Sequence, residues 1–169
     1  MHDAPGLDRA ALAGLKVVEI AQLIAGPMVG SFLADFGADV VHVEDRVHGD
    51  PARYTGVAKD GVYLWWKVSG RNKRSVTLDL RTPEGQQVAR RLCAWADVVV
   101  TNFRVGTLER WGLDWATVHA DNSKLVYLQV TGFGANTSMR DRPGFGKVGE
   151  AMSGVVQLTG FPEGPPVHT

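Results

Sequence analysis

The chain has 169 residues, 44% of them hydrophobic and 21% charged, with 20 glycines; this suits one globular domain with a real core and argues against disorder. Lys and Arg number 18 and Asp and Glu 18, so no global field draws the chain to nucleic acid or to an anionic membrane, and any anion site has to be local. The opening MHDAPGLDRAALAG lacks a basic stretch followed by an apolar one, and no later segment reaches bilayer-spanning length, so a cytoplasmic protein is expected.

In chain order, LKVVEIA (Leu15 to Ala21) is a short apolar run of the kind that forms a buried parallel strand. GPMVGSFLADFGA follows, with Gly26 and Pro27 opening a helix, since proline loses nothing in a first turn, and Gly37 ending it. DVVHVE (Asp39 to Glu44) predicts a second strand and completes a βαβ unit. Beyond a loop rich in Gly, Pro and charge (45–61) come YLWW and RSVTLDL, where Val76, Leu78 and Leu80 alternate as in a strand. TPEGQQVARRLCAWA carries helix-start signals: Thr82 as N-cap, Pro83 in the first position and Glu84 at the positive end of the dipole. DVVVTNF is another buried strand, GTLERWG and DWATVHADN are short amphipathic pieces, and KLVYLQVTGFG is a further strand. RPGFGKVGEAMSGVVQLTG is expected to form a helix whose small residues and Met152, Val155, Val156 and Leu158 want a close partner. The final GFPEGPPVHT is a turn cluster of the kind that joins two elements.

This alternation predicts an α/β fold with a doubly wound, mostly parallel, Rossmann-like sheet covered on both faces, its ligands at the carboxyl ends of the strands. Cys93, alone in the chain, allows no internal disulfide and reads as a small buried hydrophobe. The five histidines, His2, His42, His48, His119 and His168, show no metal-ligand spacing.

The carboxyl strand ends fall at AQLIAGP, VEDRVHGD, TNFRVG and TGFGANTSMRDRPGF, and four stretches of the chain could carry chemistry. AQLIAGPMVG offers a strand running into a helix N-terminus, but its glycines are spaced G-x-x-x-G, so it is either a phosphate turn, with Glu44 reading a ribose, or a tight packing turn. SGRNKRSVTLDLRTPEG gathers Arg71, Lys73, Arg74 and Arg81, either to grip phosphates or to protect an edge strand with charge. TNFRVGTLERWG sets Asn102, Phe103, Arg104 and Arg110 in one connection, which suits an adenine nucleotide and equally suits a polar loop. In the last helix Glu150 has no recognisable acid, base or oxyanion partner and reads as an ordinary helix carboxylate.

Read together, LAGLKVVEIAQLIAGPMVGSFLADFGADVVHVE, RNKRSVTLDLRTPEGQQVARRL, ADVVVTNFRVGTLERWGLDW, LVYLQVTGFG and RPGFGKVGEAMSGVVQLTGFPEGPPV resemble the class III (CaiB/BaiF-type) CoA-transferases, a group that includes formyl-CoA:oxalate and carnitine CoA-transferases and α-methylacyl-CoA racemase. The resemblance runs from about Leu12 to the last residue. It implies that residues 1–169 are the N-terminal part of the CoA-binding large domain of an interlocked homodimer, without its second domain and C-terminal return. It implies acyl-CoA and a carboxylic acid as substrates, with no tightly bound cofactor, no metal, no nucleic acid and no membrane. It places CoA contacts at Gln22 and Ile24, at Leu78 and Arg81, at Asn102, Phe103 and Arg110, and near the pantetheine arm at Phe145. Asp45 stands where some members have a phosphate-binding arginine, which leaves Arg46 as a substitute.

Gly144-Phe145-Gly146 stands where the racemases have Gly-His-Asp, and Phe145 cannot take a proton, so the resemblance implies transferase chemistry. That chemistry uses an aspartate nucleophile in a Gly-Asp segment expected beyond Thr169, so the 169-residue chain alone is expected to be inactive. A racemase-type parent, a non-catalytic CoA-binding module and a dinucleotide-binding domain remain alternatives.

Overall fold

The computed structural model describes residues 10–168. They fall into two compact units, one ending at Val130 and the other beginning at Thr131.

In the first unit five parallel strands form one sheet: β1 (Lys16–Ile20), β2 (Asp39–Asp45), and, beyond a small antiparallel pair β3 (Ala58–Lys59) and β4 (Val62–Tyr63), β5 (Lys73–Leu78), β6 (Val98–Thr101) and β7 (Val126–Gln129). The spatial order is β5-β2-β1-β6-β7. The chain winds outward from β1 first through β2 to β5, then returns to β6 and β7 on the other side, so the switch point expected of a doubly wound sheet lies between β1 and β6. Helix α1 (Ala25–Asp35) links β1 to β2; α2 (Leu64–Ser69) precedes β5; α3 (Pro83–Trp95) links β5 to β6; α4 (Thr107–Arg110) and α5 (Trp115–Asp121) link β6 to β7.

Alternate strand residues face opposite sides of a sheet, and the two cores follow that period. Val17, Val40 and Val100 pack with Ala34 and Ala38 beneath α1. Val18, Ile20, Val43 and Val99 pack with Ala89 and Cys93 of α3, Leu108 of α4, Leu113 and Val118 of α5. Both faces are therefore covered, as the sequence implied. Thr82 caps α3 as expected, its hydroxyl accepting the Gly85 N–H at 3.2 Å. Cys93 is fully buried, and burial pushes its thiol up to about 12.

The second unit contains α6 (Gly146–Ser153) and α7 (Val155–Leu158). The sequence suggested one helix here; Gly154 divides it by adopting a left-handed conformation, φ 84°, which a residue with a side chain would resist. A second departure lies at 51–69, where the sequence showed only a loop and an aromatic segment and the chain folds a 3-10 turn (Pro51–Tyr54), the β3–β4 pair and α2. No helix among the described residues is long and apolar enough to cross a membrane.

Candidate functional site

A cleft of about 170 Å³ opens at the carboxyl ends of β1, β2, β5 and β6. Gln22 follows β1, Glu44 and Asp45 end β2, Leu78 to Arg81 lie at and after the end of β5, Phe103 comes from the β6–α4 connection and Trp111 follows α4. This is where a parallel sheet leaves helix N-termini and loop amides without partners, and where ligands of such sheets bind.

Of the nine CoA contacts expected from the resemblance, Gln22, Leu78, Arg81 and Phe103 line this cleft, as do Glu44 and Asp45. Phe103 is packed edge-on against Trp111, ring centroids 5.2 Å apart, giving one wall an aromatic surface. Asn102 adjoins it, but its amide is engaged: Oδ1 accepts the Gln22 N–H at 2.9 Å and Nδ2 donates to the Gln22 carbonyl at 2.8 Å. Ile24, half exposed at the start of α1, and Arg46, exposed after β2, do not line the cleft. Arg110 is exposed on α4, with Nη2 donating to Thr107 Oγ1 at 3.3 Å. Phe145 belongs to the second unit, where it precedes α6 and is exposed.

The cationic stretch divides by its position along β5. Arg71 pairs with Asp35, Lys73 with Glu19 at 3.0 Å and Arg74 with Asp39 at 2.6 Å. These residues stand at or before the amino end of the strand, about 16 Å of extended chain from Leu78. Only Arg81 reaches the cleft, so the stretch does not act as one phosphate cluster; β5 is an edge strand fringed with ion pairs. Arg81 itself is shared: Nε lies 2.7 Å from Asp79 Oδ1 and Nη2 3.5 Å from Asp45 Oδ2. Arg81 holds the Asp79 carboxyl below its usual range, and the His48 and Val47 amides do the same for Asp45.

Glu44 is likewise committed. Arg53 donates to both its oxygens, at 2.5 and 2.6 Å, Ser75 donates its hydroxyl, and the Asp50 N–H donates at 2.8 Å. Burial raises the carboxyl, but these donors outweigh it and bring Glu44 down to about 2. A buried carboxylate occupied in this way is not placed to read a ribose, which removes the support for a dinucleotide site.

Beneath the cleft, on the α1 face, lies a set of residues that motif reading did not assemble. His42 Nδ1 is 2.5 Å from Glu19 Oε1, and its Nε2 faces Asp50 Oδ2 at 3.2 Å in an ion-pair contact poorly aligned for a hydrogen bond. Lys73 Nζ donates to both Glu19 oxygens, at 3.1 and 3.0 Å, and to the Pro27 carbonyl at 2.6 Å. Burial opposes charge on His42, yet Asp50 and Glu19 hold it up at about 9, so it is an imidazolium at neutral pH. A Cβ at Gly30 would collide with the Glu19 carboxylate; the small residue is what lets α1 close over this buried acid. The signal in the sequence was the charge itself: Glu19, His42 and Glu44 interrupt strands otherwise apolar enough to be buried, and buried charges require partners. Among the described residues no group of three or more His, Cys, Asp or Glu side chains is arranged to hold a metal ion.

Comparison with known proteins gives this geometry a context. The profile of CoA-transferase family III matches residues 12–169. The chain is 50% identical over 158 residues to the succinyl-CoA–D-citramalate CoA-transferase of Chloroflexus aurantiacus, covering 93% of this chain and 39% of that protein. It is 40% identical over 163 residues to the succinate–glutarate CoA-transferase of Agrobacterium fabrum, covering 92% of this chain and 41% of that protein. Among solved structures, a CAIB/BAIF family protein from Brucella suis superposes with a TM-score of 0.88 at 41% identity, over 95% of this chain and 43% of that one. Rv3272 from Mycobacterium tuberculosis gives a TM-score of 0.82 at 36% identity, over 94% of this chain and 44% of that one. The chain thus spans about two fifths of the length of these relatives. With a matching profile along nearly its whole length and the same parallel sheet as those structures, this chain belongs to CoA-transferase family III.

Proposed function

We propose that this chain supplies much of the acyl-CoA-binding part of a CoA-transferase, and that the whole protein moves coenzyme A from an acyl-CoA thioester to a carboxylic acid. One observation carries the reading: in a chain of this family, the cleft at the carboxyl ends of four parallel strands is lined by Gln22, Leu78, Arg81 and Phe103. In this reading the Phe103–Trp111 surface takes the adenine, Arg81 meets a phosphate, and Gln22 borders the path of the pantetheine arm. Ile24, Arg46 and Arg110, all exposed in the first unit, are proposed as further contacts.

The reacting group in this proposal is an aspartate outside the 169 residues. Its carboxylate attacks the donor thioester, the C–S bond breaks, and a mixed anhydride and CoA thiolate result. The thiolate then attacks the aspartyl carbonyl, releasing the donor acid and leaving an aspartyl-CoA thioester from which the acceptor carboxylate is loaded in the same two steps. Within the cleft, Glu44 and Asp50 are held ionised by their own partners, both below the ordinary carboxylate range, which makes them poor nucleophiles. Phe145 has no titratable group, which favours transfer over racemisation.

The relatives named for succinyl-CoA and succinate make succinyl-CoA the first donor to test. The full-length protein, incubated with succinyl-CoA and citramalate, malate, glutarate or mesaconate, is expected to form the acceptor's CoA thioester, followed by chromatography. Loss of the α-proton in deuterated water without any transfer would contradict the reading and favour the racemase. We place the protein in the cytoplasm on the strength of its acyl-CoA chemistry and its lone buried thiol, and as a homodimer on its family membership alone.

A further inference from the structure

Three carboxylates and three cations stand together on the α1 side of the cleft floor: Glu19, Glu44 and Asp50 against His42, Lys73 and Arg53. Glu19 is 0%, His42 1% and Asp50 2% exposed. Their charges cancel only while His42 carries its proton, and an uncancelled charge at this depth is strongly unfavourable. Among the described residues, the charged groups on the elements packed around His42 are Glu19 from β1, Glu44 from β2, Asp50 and Arg53 from the following loop, and Lys73 from β5 through Glu19.

One member of the set reaches out to the cleft rim. The Asp50 carboxylate accepts the Leu23 N–H at 3.1 and 3.2 Å as well as the Ala52 N–H at 2.7 Å. Leu23 has φ 64°, a left-handed conformation that a residue with a branched side chain resists and that persists only where its surroundings impose it. On its other side Asn102 clasps both polar groups of the Gln22 backbone. The turn between β1 and α1 is thus held by β6 on one side and by the buried charge set on the other.

We propose that Asp50 is a positioning residue for the acyl-CoA site, gripping the Leu23 N–H so that the turn 22–24 keeps the shape that sets Gln22 against the cleft before the ligand arrives. The inference rests on the acyl-CoA reading above. His42 is the anchor of Asp50: when it loses its proton the set is left with net negative charge, the Asp50 grip loosens, and the turn samples other conformations. A site competent for only part of the time binds more weakly in proportion to that fraction.

The test uses the full-length protein with two readouts: the hydrogen-exchange protection of the Leu23 amide without ligand, and the affinity for CoA by calorimetry. Asp50→Ala is expected to lower Leu23 protection and to weaken CoA about tenfold at pH 7, as for a turn competent roughly a tenth of the time. Asp50→Asn, which keeps an acceptor, is expected to restore part of both. In the wild type, protection and affinity are expected to fall together as pH rises through about 9, and His42→Gln to be weak and flat over that range. Unchanged Leu23 protection in Asp50→Ala overturns the inference. Should the variants fail to fold, the wild-type pH series still decides, and constancy of Leu23 protection through pH 9 overturns it. If the wild type binds no CoA at any pH, the acyl-CoA reading fails, while Leu23 protection still tells whether Asp50 holds the turn.

Discussion

At the scale of single residues the cleft presents a conflict of charge. Among the described residues Arg81 is the one cation lining it, and its guanidinium is shared between Asp79 and Asp45, both exposed enough for solvent to weaken the pairing. A bound phosphate has to compete with those carboxylates for the same fork of donors. Asp79→Asn is therefore expected to tighten CoA severalfold at low salt, and Arg81→Ala to weaken it by about tenfold, the loss of one charge-assisted contact. Calorimetry at two ionic strengths checks both; a weaker Asp79→Asn complex would show that Asp79 helps to hold the ligand. Gly30 makes a separate prediction about the fold. Gly30→Ala drives a methyl group into the Glu19 carboxylate, and is expected to cost at least about 1–3 kcal/mol, the usual penalty of overpacking. Urea denaturation would register this as a lower midpoint with an unchanged slope.

Single elements were legible in the sequence to different depths. The strands β1, β2 and β6 follow from apolar runs, and α3 from its Thr-Pro-Glu start, because those signals are local. What the sequence could not display was the use of polar residues inside those elements. Glu19 and His42 lie 23 positions apart and meet only because β1 and β2 are paired in parallel, with Lys16 opposite Asp39 and Glu19 opposite His42. Lys73, which looked like part of a phosphate cluster, is drawn beneath α1 by the same pairing of β2 with β5. The resulting pH dependence belongs to this element. His42 ordinarily titrates near 6.5 and is raised to about 9 in the fold, so its contribution to stability is complete below about 6.5 and is lost as pH rises through about 9. Glu44 is lowered from 4.5 to about 2; its contribution is complete above about 4.5 and is lost as pH falls through about 2. Thermal melts should therefore show a plateau between about pH 4.5 and 6.5 for these two groups, with a decline on either side. His42→Gln should remove the alkaline decline while lowering the plateau; an alkaline decline of unchanged size in that variant would assign the effect to another group.

For the molecule as a whole, the doubly wound sheet was readable from the alternation of strands and helices, and its covering on both faces follows from the same pattern. Four of the nine expected contact residues, Gln22, Leu78, Arg81 and Phe103, line the cleft, because strand ends in a parallel sheet converge on one edge whatever their separation in sequence. Ile24, Arg46 and Arg110 stand on exposed surface, where chain position alone gives no direction for a side chain. The sequence also gave no hint that Asn102 would spend its amide on the Gln22 backbone, since that contact spans 80 positions. The central claim is that the edge formed by β1, β2, β5 and β6 receives coenzyme A. Its most direct test is to titrate the isotopically labelled full-length protein with CoA and follow backbone amide resonances. The account predicts saturable shifts at Gln22, Leu78 to Arg81 and Phe103, with α5 and the amino ends of the strands unmoved; shifts confined to other surfaces, or none at millimolar CoA, would contradict it.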